Sequence, residues 1–510
     1  MSFPTTDDLI KAILDARKRV YEVATSTPLE RMELEKEDTQ LYLKREDLSP
    51  IHAYKWRGSY NRMCLLSREE RNKGVVCASA GNHAQGVALA AQKLNTHASI
   101  YMPRSTPQMK ISSVERIGGD AITIHIEGNS YDDAFALASK CAETEDRVFV
   151  HAYNDLHVIA GQGTLADEVV MAGTGEFDIA YLQIGGGGMA AGVACWLKHY
   201  YPNIEIVGVE GVDQASMAHA VRSGSPSNIP YLDVFCDGTA VRMAGDLTHH
   251  FCKQLIDRFI TVTNDEVCSA IQTLWEAQRT IPEPAGAMGV AGWRKERKHN
   301  LGKKALAVIC GANMDFGQLS WVVKHAGIGS ARRKFYRFSL EERPGTLLNL
   351  LSHFPENVNI VEFQHGLTSN VKVEPVIGID ATAMEMAFLE DQLNRLKISF
   401  QDATNDEDVE FRIIHYNAAL FQRPLFLRIE FHERPGALTD FLRGYCREAS
   451  IIYFNYGYTG ERVGRALIGF DFASDSVRHE FVENVLKKPN SLRYVKKLKE
   501  DVIKRIGSPV

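Results

Sequence analysis

One lysine, Lys55, stands among aromatic neighbours in the stretch Ser49-Pro50-Ile51-His52-Ala53-Tyr54-Lys55-Trp56-Arg57-Gly58, after a proline turn and before a run that can be helical. Desolvation lowers the pKa of an amine, and a free amine can form a Schiff base with a carbonyl group. Taken alone, a lysine reads as a solvated surface residue. Three further stretches change that reading: Ser79-Ala80-Gly81-Asn82-His83, Gly185-Gly186-Gly187-Gly188 and Cys310-Gly311-Ala312-Asn313.

The four glycines follow an apolar strand pattern over 179–184 and precede a helical run from Met189 to His199. Glycines let several backbone N–H groups converge on one anion, and a helix N-terminus adds the positive end of its dipole. That chemistry suits a phosphate. The alternative is a tight strand-to-helix turn, for which four glycines are more than enough. The spacing is not that of the dinucleotide fingerprint, and no acidic partner follows at the required distance. The stretch Ser79 to His83 ends a strand and opens a helix. It offers backbone donors, a hydroxyl and an amide, all neutral, on which a carboxylate can dock without an arginine. Taken alone it is a helix cap made by Ser79 or Asn82. Cys310 ends the strand 305–310, where a buried structural cysteine is the common case.

The elements that must position these residues alternate. Strands are expected at 74–78, 98–102, 121–126 and 147–151, then at 179–184, 205–209, 258–262 and 305–310, with helices between them. A leading helix over 7–24 can be capped by Thr6. Such alternation implies βαβ units and parallel sheets covered on both faces, here in two lobes, an α/β fold. After about residue 325 the texture changes and an internal repeat begins. Glu342-Arg343-Pro344-Gly345-Thr346-Leu347 returns 91 residues later as Glu433-Arg434-Pro435-Gly436-Ala437-Leu438. The same displacement carries Leu350, Leu351, Ile360 and Phe363 onto Phe441, Leu442, Ile451 and Phe454. Each copy reads strand, Pro-Gly turn, helix, strand, a small α+β sandwich. The expected division is 1–325, with a small lobe of about 45–155 inserted, a linker at 326–333, and two repeats at 334–420 and 421–510.

Bulk composition excludes several classes. A net charge of −6 favours neither nucleic acid nor an anionic membrane. Nine cysteines without C-x-x-C spacing argue against a disulfide framework or a structural zinc, so no metal is expected. No apolar run reaches membrane-spanning length. The first twenty residues lack an apolar signal core and carry Asp7, Asp8 and Asp15, so a cytoplasmic location is expected.

Taken in order, Lys44-Arg45-Glu46-Asp47 through Arg57-Gly58, Ser79 to Gly86, the tetraglycine, Glu283-Pro284-Ala285-Gly286-Ala287 and Cys310-Gly311-Ala312-Asn313 resemble the fold-type II pyridoxal-phosphate enzymes, most closely the biosynthetic threonine deaminases. Residues 7 to about 325 resemble the catalytic half, and the repeat resembles the paired ACT-like regulatory domain of that family. The resemblance implies that Lys55 binds pyridoxal 5'-phosphate as a Schiff base and later takes the substrate's Cα proton. It implies that Asn82 hydrogen-bonds the cofactor's phenolic oxygen and that Gly185, Gly186, Gly187, Gly188 and Met189 bind its phosphate. Cys310 would face the pyridine nitrogen, and Ser79, Gly81, Asn82 and His83 would hold the substrate carboxylate. The implied reaction is β-elimination from L-threonine, giving 2-oxobutanoate and ammonia at the first step of isoleucine biosynthesis. Isoleucine would inhibit through the tail, valine would oppose it, and the assembly would be a homotetramer. Ala53 and Tyr54 stand where many relatives have serine and phenylalanine. Cys310 stands where biosynthetic members carry serine and mammalian serine dehydratases carry cysteine, which keeps L-serine as an alternative substrate. Rival readings are a serine dehydratase or racemase, a β-replacement enzyme, and an amino-acid sensor with an inactive catalytic half. Glu283 receives no role, since Glu283-Pro284 reads equally as a helix start.

Overall fold

The computed structural model describes residues 3–33, 40–104, 106–128, 131–343, 345–355, 358–367, 371–410, 412, 414–432, 441–443, 449–457, 463–487 and 492–498. The chain divides after Gly329 into two units. The helix Gln318–Gly329 covers residues 326–329 of the segment 326–333 expected to be linker.

The first unit contains two sheets. One has six strands in the order Leu29–Arg31, Gln40–Arg45, Lys304–Ile309, Ile179–Gln183, Glu205–Gly211 and Arg258–Val262. Only its first pair is antiparallel. The other has four parallel strands in the order Ile122–Ile126, Ala98–Met102, Val75–Ala78 and Val148–Phe149. Every residue of Val75–Ala78 and Ile179–Gln183 is buried, as parallel strands covered on both faces require. Ser79, the tetraglycine and Cys310 all follow the carboxyl end of a parallel strand. Open α/β sheets place their ligands at that edge.

Two sequence expectations shift. The helix at the start is Thr6–Val20, and its cap is Thr5, not Thr6. Thr5 Oγ1 accepts the Asp8 N–H while the Asp8 carboxylate accepts the Thr5 N–H, a capping box that fixes the start one residue earlier. The helix Leu156–Met171 has no counterpart in the expected elements. It is buried from Val158 to Val169, so it shows no polar face for a periodicity argument to detect. Small residues let it lie close to its neighbours: a Cβ at Gly163 would meet Ile13 Cδ1 at 2.6 Å, and one at Gly192 would meet Ile159 O at 2.4 Å.

The second unit holds one antiparallel sheet of nine described strands. The 91-residue displacement carries the strand Asn359–Gly366 onto Ser450–Gly457, and these two equivalent strands pair with each other. The rings of Phe363 and Phe454 lie 4.6 Å apart, and Leu350, Leu351, Phe441 and Leu442 are buried in the same core. The two expected sandwiches thus share a continuous sheet, which removes one exposed edge from each copy. The second Pro-Gly stretch, 433–438, lies outside the described residues, as does Pro344 of the first. No helix among the described residues is long and apolar enough to cross a membrane, and no cluster of three or more His, Cys, Asp or Glu among them could hold a metal.

Candidate active site

Lys55 caps the helix Trp56–Cys64, and its loop is held at both ends. Ser49 Oγ donates to Ala53 O at 2.8 Å and accepts the Ala53 N–H at 3.1 Å. The Tyr54 N–H donates to Cys310 O, and the Ala312 N–H donates to His52 O, so the lysine loop is fixed to the Cys310 stretch. Two residues on, Arg57 is anchored in a buried quartet of charges. Its guanidinium pairs with Glu46 at 2.8 Å and with Glu168 at 2.6 Å, and Lys44 pairs with Glu168 at 2.5 Å. None of these four side chains is more than 1% exposed. This gives the Lys44 to Asp47 motif a physical purpose: two of its residues hold the helix that begins beside Lys55.

Lys55 itself is half-buried, with Nζ 3.2 Å from Tyr54 Oη. The expectation of a lowered pKa is not met. Desolvation pulls the ammonium down, but Tyr54, Cys310 and Glu283 outweigh it and the net displacement is upward. Cys310 is buried and its thiol is pushed up to about 12 by burial and by Glu283, so it is a neutral group at neutral pH.

Asn82 opens the helix Asn82–Leu94. Neither Ser79 nor Asn82 caps that helix: the cap position is Gly81, without a side-chain bond, and Ser79 Oγ accepts the Gly81 N–H at 3.2 Å. The Asn82 side chain is instead fixed from both sides. Its Nδ2 donates to Glu283 Oε1 at 2.8 Å, and its Oδ1 accepts from Asn313 Nδ2 at 2.9 Å. Asn313 Nδ2 also donates to Ile51 O at 2.8 Å. The His83 ring is committed on both nitrogens, to Ser59 Oγ at 3.2 Å and to Val150 O at 2.9 Å, and burial lowers its pKa to about 3.

The glycine run is closely packed on one side. A Cβ at Gly185 would meet Thr239 Cα at 2.8 Å, one at Gly186 the Tyr153 ring at 2.2 Å, and one at Gly187 the Met217 methyl at 2.5 Å. Gly187 adopts φ +89° and caps the 13-residue helix Gly188–Tyr200. Only glycines can fill this turn, and they leave its backbone donors bare of side chains.

These residues meet in one cavity. Lys55, Asn82, Gly185, Gly186, Gly187, Gly188, Met189 and Cys310 all line it. Ser79, Gly81 and His83 are not among its lining residues. Glu283, Tyr54, Tyr153, Gln183 and Thr239 are, and sequence reasoning missed them as site residues. Glu283 is only 3% exposed, and burial together with Asp237 pushes its carboxyl up to about 7. Its one signal in the sequence, the following proline, pointed to a helix start instead. The helix Pro284–Lys295 does begin there. The donor set fits pyridoxal phosphate: an amine for the aldehyde, a side-chain-free turn at a helix N-terminus for the phosphate, and a fixed amide for the ring's phenolic oxygen.

Comparison with known proteins agrees with this donor set. Residues 20–311 match the family model described as pyridoxal-phosphate dependent enzyme, and residues 418–504 match the C-terminal regulatory domain of threonine dehydratase. The chain is 34% identical over 506 residues to the biosynthetic L-threonine dehydratase IlvA of Haemophilus influenzae, covering 96% of this chain and 98% of that protein. It is 35% identical over 471 residues to the chloroplastic threonine dehydratase 1 of Solanum lycopersicum, covering 90% of this chain and 76% of that one. Among solved structures, the processed form of threonine deaminase isoform 2 from Solanum lycopersicum matches 64% of this chain and 95% of its own, with a TM-score of 0.61 and 38% identity. With one family model matched over more than half its length and relatives aligned nearly end to end, the chain belongs to the pyridoxal-phosphate dependent enzymes, in the branch of biosynthetic threonine dehydratases that carry a regulatory C-terminal domain.

Proposed function

We propose that this chain converts L-threonine to 2-oxobutanoate and ammonia, the first step of isoleucine biosynthesis, with L-serine as the alternative substrate. The observation that carries the reading is the convergence of Lys55, Asn82, the glycine turn and Cys310 on one cavity. Pyridoxal 5'-phosphate, when bound, supplies the electron sink that acidifies the substrate's Cα–H and allows the β-hydroxyl to leave.

In this reading the chain's residues divide the remaining work. Lys55 would hold the cofactor through its aldehyde group, and its free Nζ would take the substrate's Cα proton. The Tyr54 hydroxyl oxygen and the Glu283 carboxylate favour the resulting ammonium, which keeps Lys55 a strong base. The backbone donors of Gly185 to Met189 hold the phosphate, and Asn82 donates to the phenolic oxygen. Ser79, Gly81, Asn82 and His83 hold the substrate carboxylate at the start of their helix. His83 contributes through its backbone there, because its ring is neutral and already bonded. Cys310 would face the cofactor's ring nitrogen as a neutral thiol, a partner that would hold a ring proton less firmly than a carboxylate.

We assign isoleucine as inhibitor and valine as its antagonist, acting through the second unit. A pocket beside the Gly345 turn supports this, lined by Leu347, Leu348, Leu442 and Ile451 together with Glu342. Burial raises the Glu342 carboxyl to about 7. An effector lowers substrate affinity only by binding one conformation better than the other. We further assign a homotetramer in the cytoplasm. The test is 2-oxobutanoate formation from L-threonine by the purified protein, with and without isoleucine. Activity that isoleucine suppresses supports both halves. Activity indifferent to isoleucine removes the effector assignment, and a coloured protein inactive on L-threonine but active on L-serine removes the substrate assignment.

A further inference from the structure

Glu283 is a buried carboxyl in the wall of the cavity, and the proposed reaction as described gives it no task beyond steadying Lys55. Its hydrogen bonds define one. Asn313 Nδ2 is committed as a donor by the Ile51 carbonyl at 2.8 Å, so the contact it makes with Asn82 at 2.9 Å must end on the Asn82 oxygen. The Asn82 NH2 group must then face Glu283, at 2.8 Å. One of its two N–H bonds goes to the Glu283 carboxylate, and the other is left over. Glu283 has no room to turn away, because Gly311 and Gly238 pack against it. A Cβ at Gly311 would meet Glu283 Oε1 at 2.6 Å, and one at Gly238 would meet the same atom at 3.3 Å.

The geometry points to Glu283 as a positioning residue: its carboxylate fixes the Asn82 amide so that the second N–H is presented to the cofactor's phenolic oxygen, and its charge sets the proton content of the site. The inference rests on the roles proposed for Lys55 and Asn82. An ionised Glu283 can only accept, so it holds the amide nitrogen toward itself. A protonated Glu283 can donate, and it then competes for the Asn82 oxygen with Asn313 and loosens the arrangement.

Several charged groups bear on this carboxyl from the surrounding elements. Asp237, in the short helical turn Asp237–Thr239, opposes its ionisation. Lys110, in the helix Gln108–Gly118, favours it, and Lys110 and Asp237 are themselves an ion pair. Lys55 also favours ionisation. Cys310 and Tyr54 face it as neutral groups, both pushed up by burial. Burial and these charges together set Glu283 near pH 7, so its charge changes around neutral pH.

The test is the absorption spectrum of the bound chromophore in the full-length holoenzyme, followed between about pH 6 and pH 8, alongside the pH profile of kcat/KM. In the wild type a spectral change with a midpoint near 7 is expected. Glu283→Gln keeps an acceptor for Asn82, so colour is expected to remain while the spectral change and the matching limb of the rate profile disappear. Asp237→Asn should move the midpoint down and Lys110→Met should move it up, which a purely structural carboxyl would not do. These two substitutions carry the test if Glu283→Gln does not fold. A coloured wild type with a flat spectrum, a Glu283→Gln variant with an unchanged midpoint, or midpoints indifferent to both Asp237→Asn and Lys110→Met would each overturn the inference while leaving the roles of Lys55 and Asn82 intact. A protein that takes up no chromophore would overturn those roles and the inference together.

Discussion

Desolvation is the largest single influence on the Lys55 amine, yet its neighbours together outweigh it. Replacing it with alanine is expected to abolish 2-oxobutanoate formation, and appreciable turnover of L-threonine by Lys55→Ala contradicts its role as the base. Tyr54→Phe is a finer test. Tyr54 raises Lys55, so removing the hydroxyl lowers the pH at which the lysine loses its proton. The acidic limb of the kcat profile should then move to lower pH, and an unmoved limb would exclude Tyr54 as the lysine's partner. Part of this was legible in the sequence and part was not. An aromatic-flanked lysine near three special stretches suggested a Schiff-base site. The direction of its pKa was not legible, because Cys310 and Glu283 reach it from more than two hundred residues away along the chain. Local composition speaks for desolvation alone.

Two elements hold the site in register, the glycine turn and the charged quartet behind Arg57. At Gly186 an added methyl would overlap the Tyr153 ring, so Gly186→Ala is expected to lose cofactor uptake, read as loss of colour. The same change at Gly187 adds the strain of φ +89°, about 1–2 kcal/mol for a residue with a side chain. Four successive glycines were readable as a phosphate turn because few other structures need them. The quartet was not readable. Lys44, Glu46, Arg57 and Glu168 are each unremarkable charged residues in sequence, and only the fold brings Glu168 to the other three. Glu168→Gln leaves Lys44 and part of Arg57 without their counter-charge in a dry interior, a loss of about 3–5 kcal/mol. Urea unfolding of the variant checks this, and a midpoint within error of the wild type would show that the cluster contributes little.

At the scale of the molecule, the repeat was the most legible feature. The 91-residue displacement matches Ile360 to Ile451 and Phe363 to Phe454 in the sequence, although not the pairing of their strands, Asn359–Gly366 and Ser450–Gly457, into one sheet, which depends on edges meeting in space. A chain ending at Gly329 is expected to keep 2-oxobutanoate formation and lose inhibition by isoleucine. Inhibition that survives the deletion would move the effector site into the first unit. Stability should also depend on pH in a defined sense. Glu283 and Glu210 are both raised to about 7, chiefly by burial, and Glu210 accepts the N–H groups of Met217 at 2.9 Å and Ala218 at 2.8 Å. Folded chains therefore hold protons that unfolded glutamates have released. Their contribution is complete below the ordinary glutamate pKa and is lost as pH rises through about 7. Thermal melting between those limits should show the Glu283→Gln variant falling less, or rising more, in Tm with pH than the wild type, and equal slopes would contradict the raised carboxyl. The most direct measurement of the whole account is borohydride reduction of the coloured protein followed by peptide mass mapping. The expected result is a single pyridoxyl-phosphate adduct on Lys55. An adduct on another lysine, or none on a protein that is coloured, would contradict the assignment of this cavity as the active site.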